Sequence, residues 1–230
     1  MFKQHLLALT CLCISPAVIA TPLPSLASPT TSYNLFLIPS HNVDKTVSTI
    51  SHQLKKQHLS SLYSQGYLPH ITLYLTEYPT QNLKSLKQQA QQLASQWHSF
   101  NLTLNNIEST KGDWLMLKVS NTPELQRLAD TAAITIAPLR AMDPKVPTWV
   151  SHYPEKLAAF QRYGSPNVFT NFEPHITLLP QTDHQKLTQF MTNYGDKFHP
   201  VNFKALGIGI AAVNNNGQTK AVIAHYSFTK

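Results

Sequence analysis

The chain has 230 residues, a charged fraction of only 13% and a formal charge of +7. That length suits one medium domain or two small lobes around a real core, and the plentiful Leu, Ile, Val and Phe exclude wholesale disorder. A basic chain favours anionic partners, yet Lys55-Lys56 is the only basic doublet, so nothing marks a stripe for duplex DNA and a small anionic substrate fits better.

Residues 1–20 read as an export signal: Lys3 supplies the positive start, Leu6 to Ile14 the apolar run, and Ala17-Val18-Ile19-Ala20 the cleavage site. The run is too short to span a bilayer; a buried N-terminal helix or an uncleaved anchor is the alternative. Cys11 and Cys13 both lie inside it, so the mature chain is expected to have no thiol nucleophile, disulfide or Cys-type zinc site. The expected location is the periplasm or the exterior, with no membrane attachment after cleavage.

Residues 21–32 (TPLPSLASPTTS) read as a flexible leader, and the folded part is expected from residue 33. Tyr33–Ile38 is a first strand, stopped by Pro39. Val43, Val47, Ile50, Leu54 and Leu62 mark a helix over Val43–Leu62. A strand at Ile71–Thr76 follows, then an amphipathic helix carrying Leu83, Leu86, Ala90, Leu93 and Trp97. Phe100–Asn106 and Trp114–Val119 are strands joined by a turn at Lys111-Gly112-Asp113. Pro123–Ile136 is a third helix with Pro suited to its first turn.

The connection 137–172 holds Pro138, Pro144, Pro147, Pro154 and Pro166 around one helical piece, Glu155–Tyr163, and reads as a lid, a brace or an insertion. Trp149, His152 and Tyr153 within it fit a lid or, more simply, a brace. Beyond it come a strand at Ile176–Leu179, a helix at Leu187–Tyr194, and strands at Phe203–Val213 and Ala221–Phe228 joined by a turn at Asn214–Gly217. The pattern of strand, helix, strand occurs twice, which predicts two lobes of similar build facing one another.

One pentapeptide occurs twice, as Pro69-His70-Ile71-Thr72-Leu73 and as Pro174-His175-Ile176-Thr177-Leu178. A bare His-x-Thr is weak evidence, since His58-Leu59-Ser60 and His225-Tyr226-Ser227 come close to it. The full repeat, once in each half on equivalent strands, is a stronger signal. Strand alternation puts His70 with Thr72 on one face and Ile71 with Leu73 on the other, and likewise for His175 and Thr177. Two facing lobes would then line one groove with two imidazoles and two hydroxyls. Such a set suits attack at phosphorus: one neutral His takes a proton, the other donates one, and the Thr hydroxyls hold the non-bridging oxygens.

The paired motif resembles the two-histidine (2H) phosphoesterase superfamily, which includes bacterial 2′-5′ RNA ligase-like proteins and cyclic nucleotide phosphodiesterases. Tyr74-Leu75-Thr76-Glu77 continues the first copy in a similar way, with Thr76 where Gly is usual, and Arg162–Phe169 before the second copy also looks similar. The resemblance implies an α+β, bilobal fold over residues 33–230, with two pseudo-symmetric lobes, antiparallel sheets and flanking helices around a central groove. It implies metal-independent opening of 2′,3′-cyclic phosphates or cleavage of 2′-5′ linkages in nucleotides or RNA, by a monomer without cofactor. His70 and His175 would be the acid–base pair, with Thr72 and Thr177 as phosphate ligands. A nucleotide- or RNA-binding protein without turnover and a 2′-5′ RNA ligase are the alternatives.

Neighbouring aromatics are weighed between substrate and core. Tyr33 and Phe36 could stack on a base or pack inside. Tyr74 stands two positions past Thr72, so alternation places it on the groove side as a substrate contact. Phe172 could cap the groove or pack. No acidic residue or third His stands at a metal-ligand spacing, no Gly-x-Ser-x-Gly elbow appears, and only seven Gly leave no phosphate loop.

Overall fold

The computed structural model describes residues 28–229, so the expected signal segment lies outside the described residues. The first strand, β1, runs Thr30–Pro39. Residues 30–32, expected to be leader, are therefore strand: the backbone N–H of Val213 donates to the Ser32 carbonyl (3.1 Å), and Thr30 to Ser32 pair with Pro79 to Glu77. Polar, solvent-facing composition masked a paired backbone.

Helix α1 (Asn42–Lys56) buries Val43, Val47, Ile50 and Leu54 along one stripe. It stops short of Leu62 because His58 takes a positive φ of 56°; Leu59 and Leu62 are buried from irregular chain. Then come β2 (Ile71–Pro79), α2 (Leu83–Ser95), β3 (Phe100–Ser109) and β4 (Leu115–Val119). Helix α3 (Pro123–Ile136) is capped by Thr122, whose hydroxyl accepts from the Leu125 N–H, with Pro123 at the first position. Helix α4 (Pro154–Tyr163) ends at Gly164, where φ is 71°. Strand β5 (His175–Leu179), α5 (His184–Tyr194, capped by Asp183), β6 (Val201–Ala212) and β7 (Ala224–Ser227) complete the chain.

All strands join one antiparallel sheet in the order β2-β1-β6-β3-β4-β5, with β7 also on β6. The antiparallel sheets expected of the two lobes are joined into a single sheet. Strand β6 is the shared element: Val201–Ala205 pairs with β3, Gly207–Ile210 pairs with β7, and Ala205–Ala212 pairs with β1. One lobe is β2-β1-β6-β7 and the other β6-β3-β4-β5. The sheet curls far enough that β2 and β5, the two ends of its order, touch, and the Leu62 N–H donates to the Leu178 carbonyl at 2.9 Å.

The Pro-rich connection fastens onto β2. Ala141 donates to the Glu77 carbonyl (2.8 Å), Asn82 to the Leu139 carbonyl (2.9 Å), and the Tyr74 hydroxyl to the Tyr163 carbonyl. Trp149 and Tyr153 remain exposed, edge to face at 6.2 Å. Among the described residues no helix is long and apolar enough to cross a membrane.

Candidate active site

The two His-x-Thr copies sit on β2 and β5, whose touching brings the lobes' equivalent edges together. His70 immediately precedes β2, and His175 begins β5. Each ring is held in the same way: Nδ1 of His70 lies 2.8 Å from the Leu68 carbonyl, and Nδ1 of His175 lies 2.7 Å from the Glu173 carbonyl. A carbonyl accepts only, so each Nδ1 carries the proton and each neutral ring keeps Nε2 as its acceptor. Such a ring can take up a proton at Nε2 and give it back.

Burial pulls both pKa values below the usual histidine value. For His70 the carbonyls of Leu68 and Gly217 work in the opposite direction. For His175 the Glu173 carbonyl and carboxylate also oppose burial, whereas positive charge on Lys118 and on His70 reinforces it. The two rings are thus near enough for charge on His70 to act on His175. Lys118 is the cross-strand partner of His175 and is shared between Glu173 (3.6 Å) and Glu108 (4.0 Å). Lys156 reaches Glu173 from α4 at 3.6 Å. Among the described residues no group of three or more His, Cys, Asp or Glu is placed to hold a metal ion.

Both strands bulge just past the motif. In the β1–β2 register Phe36 faces Thr72 and Leu35 faces Tyr74, so Leu73 is the extra residue. In the β4–β5 register Met116 faces Thr177 and Leu115 faces Leu179, so Leu178 is the extra residue. A bulge resets which face the next side chain occupies. Thr72 and Thr177 stay partly exposed, while Leu73 with Tyr74, and Leu178 with Leu179, are consecutive buried pairs in the core.

That reset overturns the placement of Tyr74 in the groove. Tyr74 is 0% exposed, and burial raises its hydroxyl pKa well above the ordinary value. Tyr33 also faces the core, 5.9 Å from the Tyr78 ring, and Phe172 is buried in the same cluster. Phe36 is different: it is buried against the edge of His70, with ring centroids 5.4 Å apart at 60°. Sequence reasoning missed Asn34, whose amide donates to the Thr72 hydroxyl at 2.9 Å. It also missed Lys118 and Gly217. A lone Asn within the apolar run Tyr33–Ile38 was the visible signal for the first.

A curled antiparallel sheet with paired His-x-Thr strands at its meeting ends defines a two-lobed protein of the 2H phosphoesterase type. The chain belongs to the 2′-5′ RNA ligase superfamily, whose sequence profile matches residues 40–215. That membership supports hydrolytic phosphodiesterase chemistry in general. The fold is similar to that of TT0787 of Thermus thermophilus, with a TM-score of 0.52 and 14% identity over 86% of this chain and 97% of that one. It is also similar to apo LigT of E. coli (TM-score 0.51, 14% identity, 88% and 100% covered) and to LigT complexed with 3′-AMP (0.51, 16%, 88% and 100%). No curated protein sequence matches the chain.

Proposed function

We propose that this protein is a metal-independent phosphodiesterase that hydrolyses 2′,3′-cyclic phosphates or 2′-5′ linkages of nucleotides or RNA, with His70 and His175 as its acid–base pair. The carrying observation is the twinned contact of each Nδ1 with the carbonyl two residues before it, which sets both rings in the same tautomer. In the reaction one neutral His accepts a proton from water as the water oxygen bonds to phosphorus. The phosphorus–oxygen bond on the opposite side breaks, and the protonated second His supplies the proton to the departing oxygen. Thr72 and Thr177 donate to the non-bridging oxygens and hold the phosphorus in line between the two rings. LigT of E. coli, similar in fold, has been solved with 3′-AMP, and a nucleoside monophosphate is the class of product such ring opening leaves. Export, read from residues 1–20 alone, is part of this proposal.

The test is direct. The chain from residue 21 onward, purified and held in EDTA, is expected to open nucleoside 2′,3′-cyclic monophosphates. His70→Ala and His175→Ala are each expected to abolish turnover while melting normally. Activity that depends wholly on added metal, or near-normal rates in either variant, would overturn the proposal.

A further inference from the structure

Asn34 is a polar side chain buried in the middle of β1, with 0% of its surface exposed. Its cross-strand partner is Leu75, yet the amide reaches diagonally past the Leu73 bulge to Thr72, where Nδ2 lies 2.9 Å from Oγ1. Its own carbonyl oxygen, Oδ1, has no partner. A buried amide half-satisfied in this way is a cost to folding that an apolar residue of the same shape would avoid. Stability therefore gives no reason for Asn at this position. The equivalent place in the other lobe, two residues before the partner of Thr177, is held by Trp114, which has no side-chain amide.

We infer that Asn34 is a positioning residue that turns the Thr72 hydroxyl into a dedicated hydrogen-bond donor for the substrate phosphate. A hydroxyl has one O–H to give and lone pairs to receive. With an amide N–H filling a lone pair, the oxygen is anchored and its proton is directed elsewhere. The donated bond also polarises the hydroxyl, which makes it a better donor to an anionic oxygen. Thr72 then enters the reaction already oriented, whereas Thr177 must be oriented by the phosphate itself. This deepens the phosphodiesterase reading and rests on it for the identity of the ligand.

The experiment is a double-mutant cycle on the full folded chain with Asn34→Leu, Thr72→Val and the pair together, each checked by thermal melting. For Asn34→Leu, kcat/KM on a 2′,3′-cyclic monophosphate is expected to fall by up to about tenfold, the upper range for losing one hydrogen bond between neutral groups. The double variant is expected to be no slower than Thr72→Val, because Asn34 acts only through Thr72. Simple multiplication of the two losses would overturn the inference, as would unchanged rates in Asn34→Leu. At a pH where its carboxyl is ionised, Asn34→Asp keeps the shape but offers only acceptors, so it should capture the Thr72 proton; full activity there also overturns the inference, and this holds even where the Leu variant does not fold. Binding of inorganic phosphate, followed by titration calorimetry, separates the two claims. If wild type turns over no diester but Asn34→Leu weakens phosphate binding as Thr72→Val does, the functional reading fails and the positioning role stands. Phosphate affinity unmoved by Asn34→Leu removes the positioning role.

Discussion

Gly209 gives the sharpest quantitative handle on the site. It lies on β6 as the cross-strand partner of Phe36, and the Phe36 ring lies directly over it. A Cβ added there would meet Cζ at 2.3 Å, Cε2 at 2.5 Å and Cε1 at 2.9 Å. Ordinary carbon contact needs roughly 3.5 Å, so the ring must retreat by about 1 Å. Phe36 is 3% exposed and packs on His70, 5.4 Å away between centroids, so a shift of its ring disturbs the packing of the imidazole. Gly209→Ala is expected to cost about 1–3 kcal/mol in stability from overpacking. It is also expected to lower kcat by up to about 100-fold, because reacting groups displaced by about 1 Å lose that much. The assay is steady-state turnover of a cyclic nucleotide beside urea melting, with Gly112→Ala as comparator, since its nearest new neighbour is at 3.6 Å. Adding Phe36→Leu, which removes the crowded ring atoms, should restore stability but not rate. A folded Gly209→Ala protein with kcat within about twofold of wild type would refute the claim that Phe36 fixes the His70 ring.

Three other outcomes follow from the same geometry. Burial lowers both histidine pKa values, so kcat/KM, which reports the free enzyme, should peak below about pH 6.5 and fall on both sides; a plateau reaching into alkali would contradict a required protonated His. Because unfolding restores the ordinary value, the folded state resists protonation of these rings; their contribution to stability is intact above about pH 6.5 and is lost as pH drops from there through the folded values. Urea melts at pH 8 and pH 5 should show that loss, and His175→Gln should reduce it; an unchanged acid slope would argue against burial as the cause. Tyr74→Phe removes the hydroxyl that donates to the Tyr163 carbonyl and should cost about 1 kcal/mol with KM unchanged; a several-fold rise in KM with normal stability would return Tyr74 to the groove.

The repeated pentapeptide was legible because two imidazoles and two hydroxyls on equivalent strands can be found by counting alone, and the helices were legible through Val43, Val47, Ile50 and Leu54 or Leu86, Ala90 and Leu93. Helix ends were less so. Leu62 continued the apolar spacing of α1, but the positive φ at His58 had already ended the helix, and no Gly marks that turn. Nor could pattern foresee that β6 would serve both lobes, since strand pairing is decided by contacts between distant segments.

The misplaced aromatics have one cause, and it bears on how the site is built. Strict alternation sends Tyr74 to the groove with Thr72, but a bulge at Leu73 returns it to the core, and the bulge at Leu178 does the same for Leu179. Each copy therefore carries His and Thr ahead of the bulge, and the strand then recovers an apolar face to pack its lobe. Without the reset, Tyr74 would leave the core, and its fully buried ring is among the largest side chains there. The neighbours Leu73-Tyr74 and Leu178-Leu179 carry the trace of this in the sequence: two adjacent large apolar residues, both buried on the same side, are incompatible with an unbroken two-residue period. A strand with one polar groove face and one core face can accommodate such a pair only by inserting a residue. That insertion falls right after Thr, at the same point in both halves.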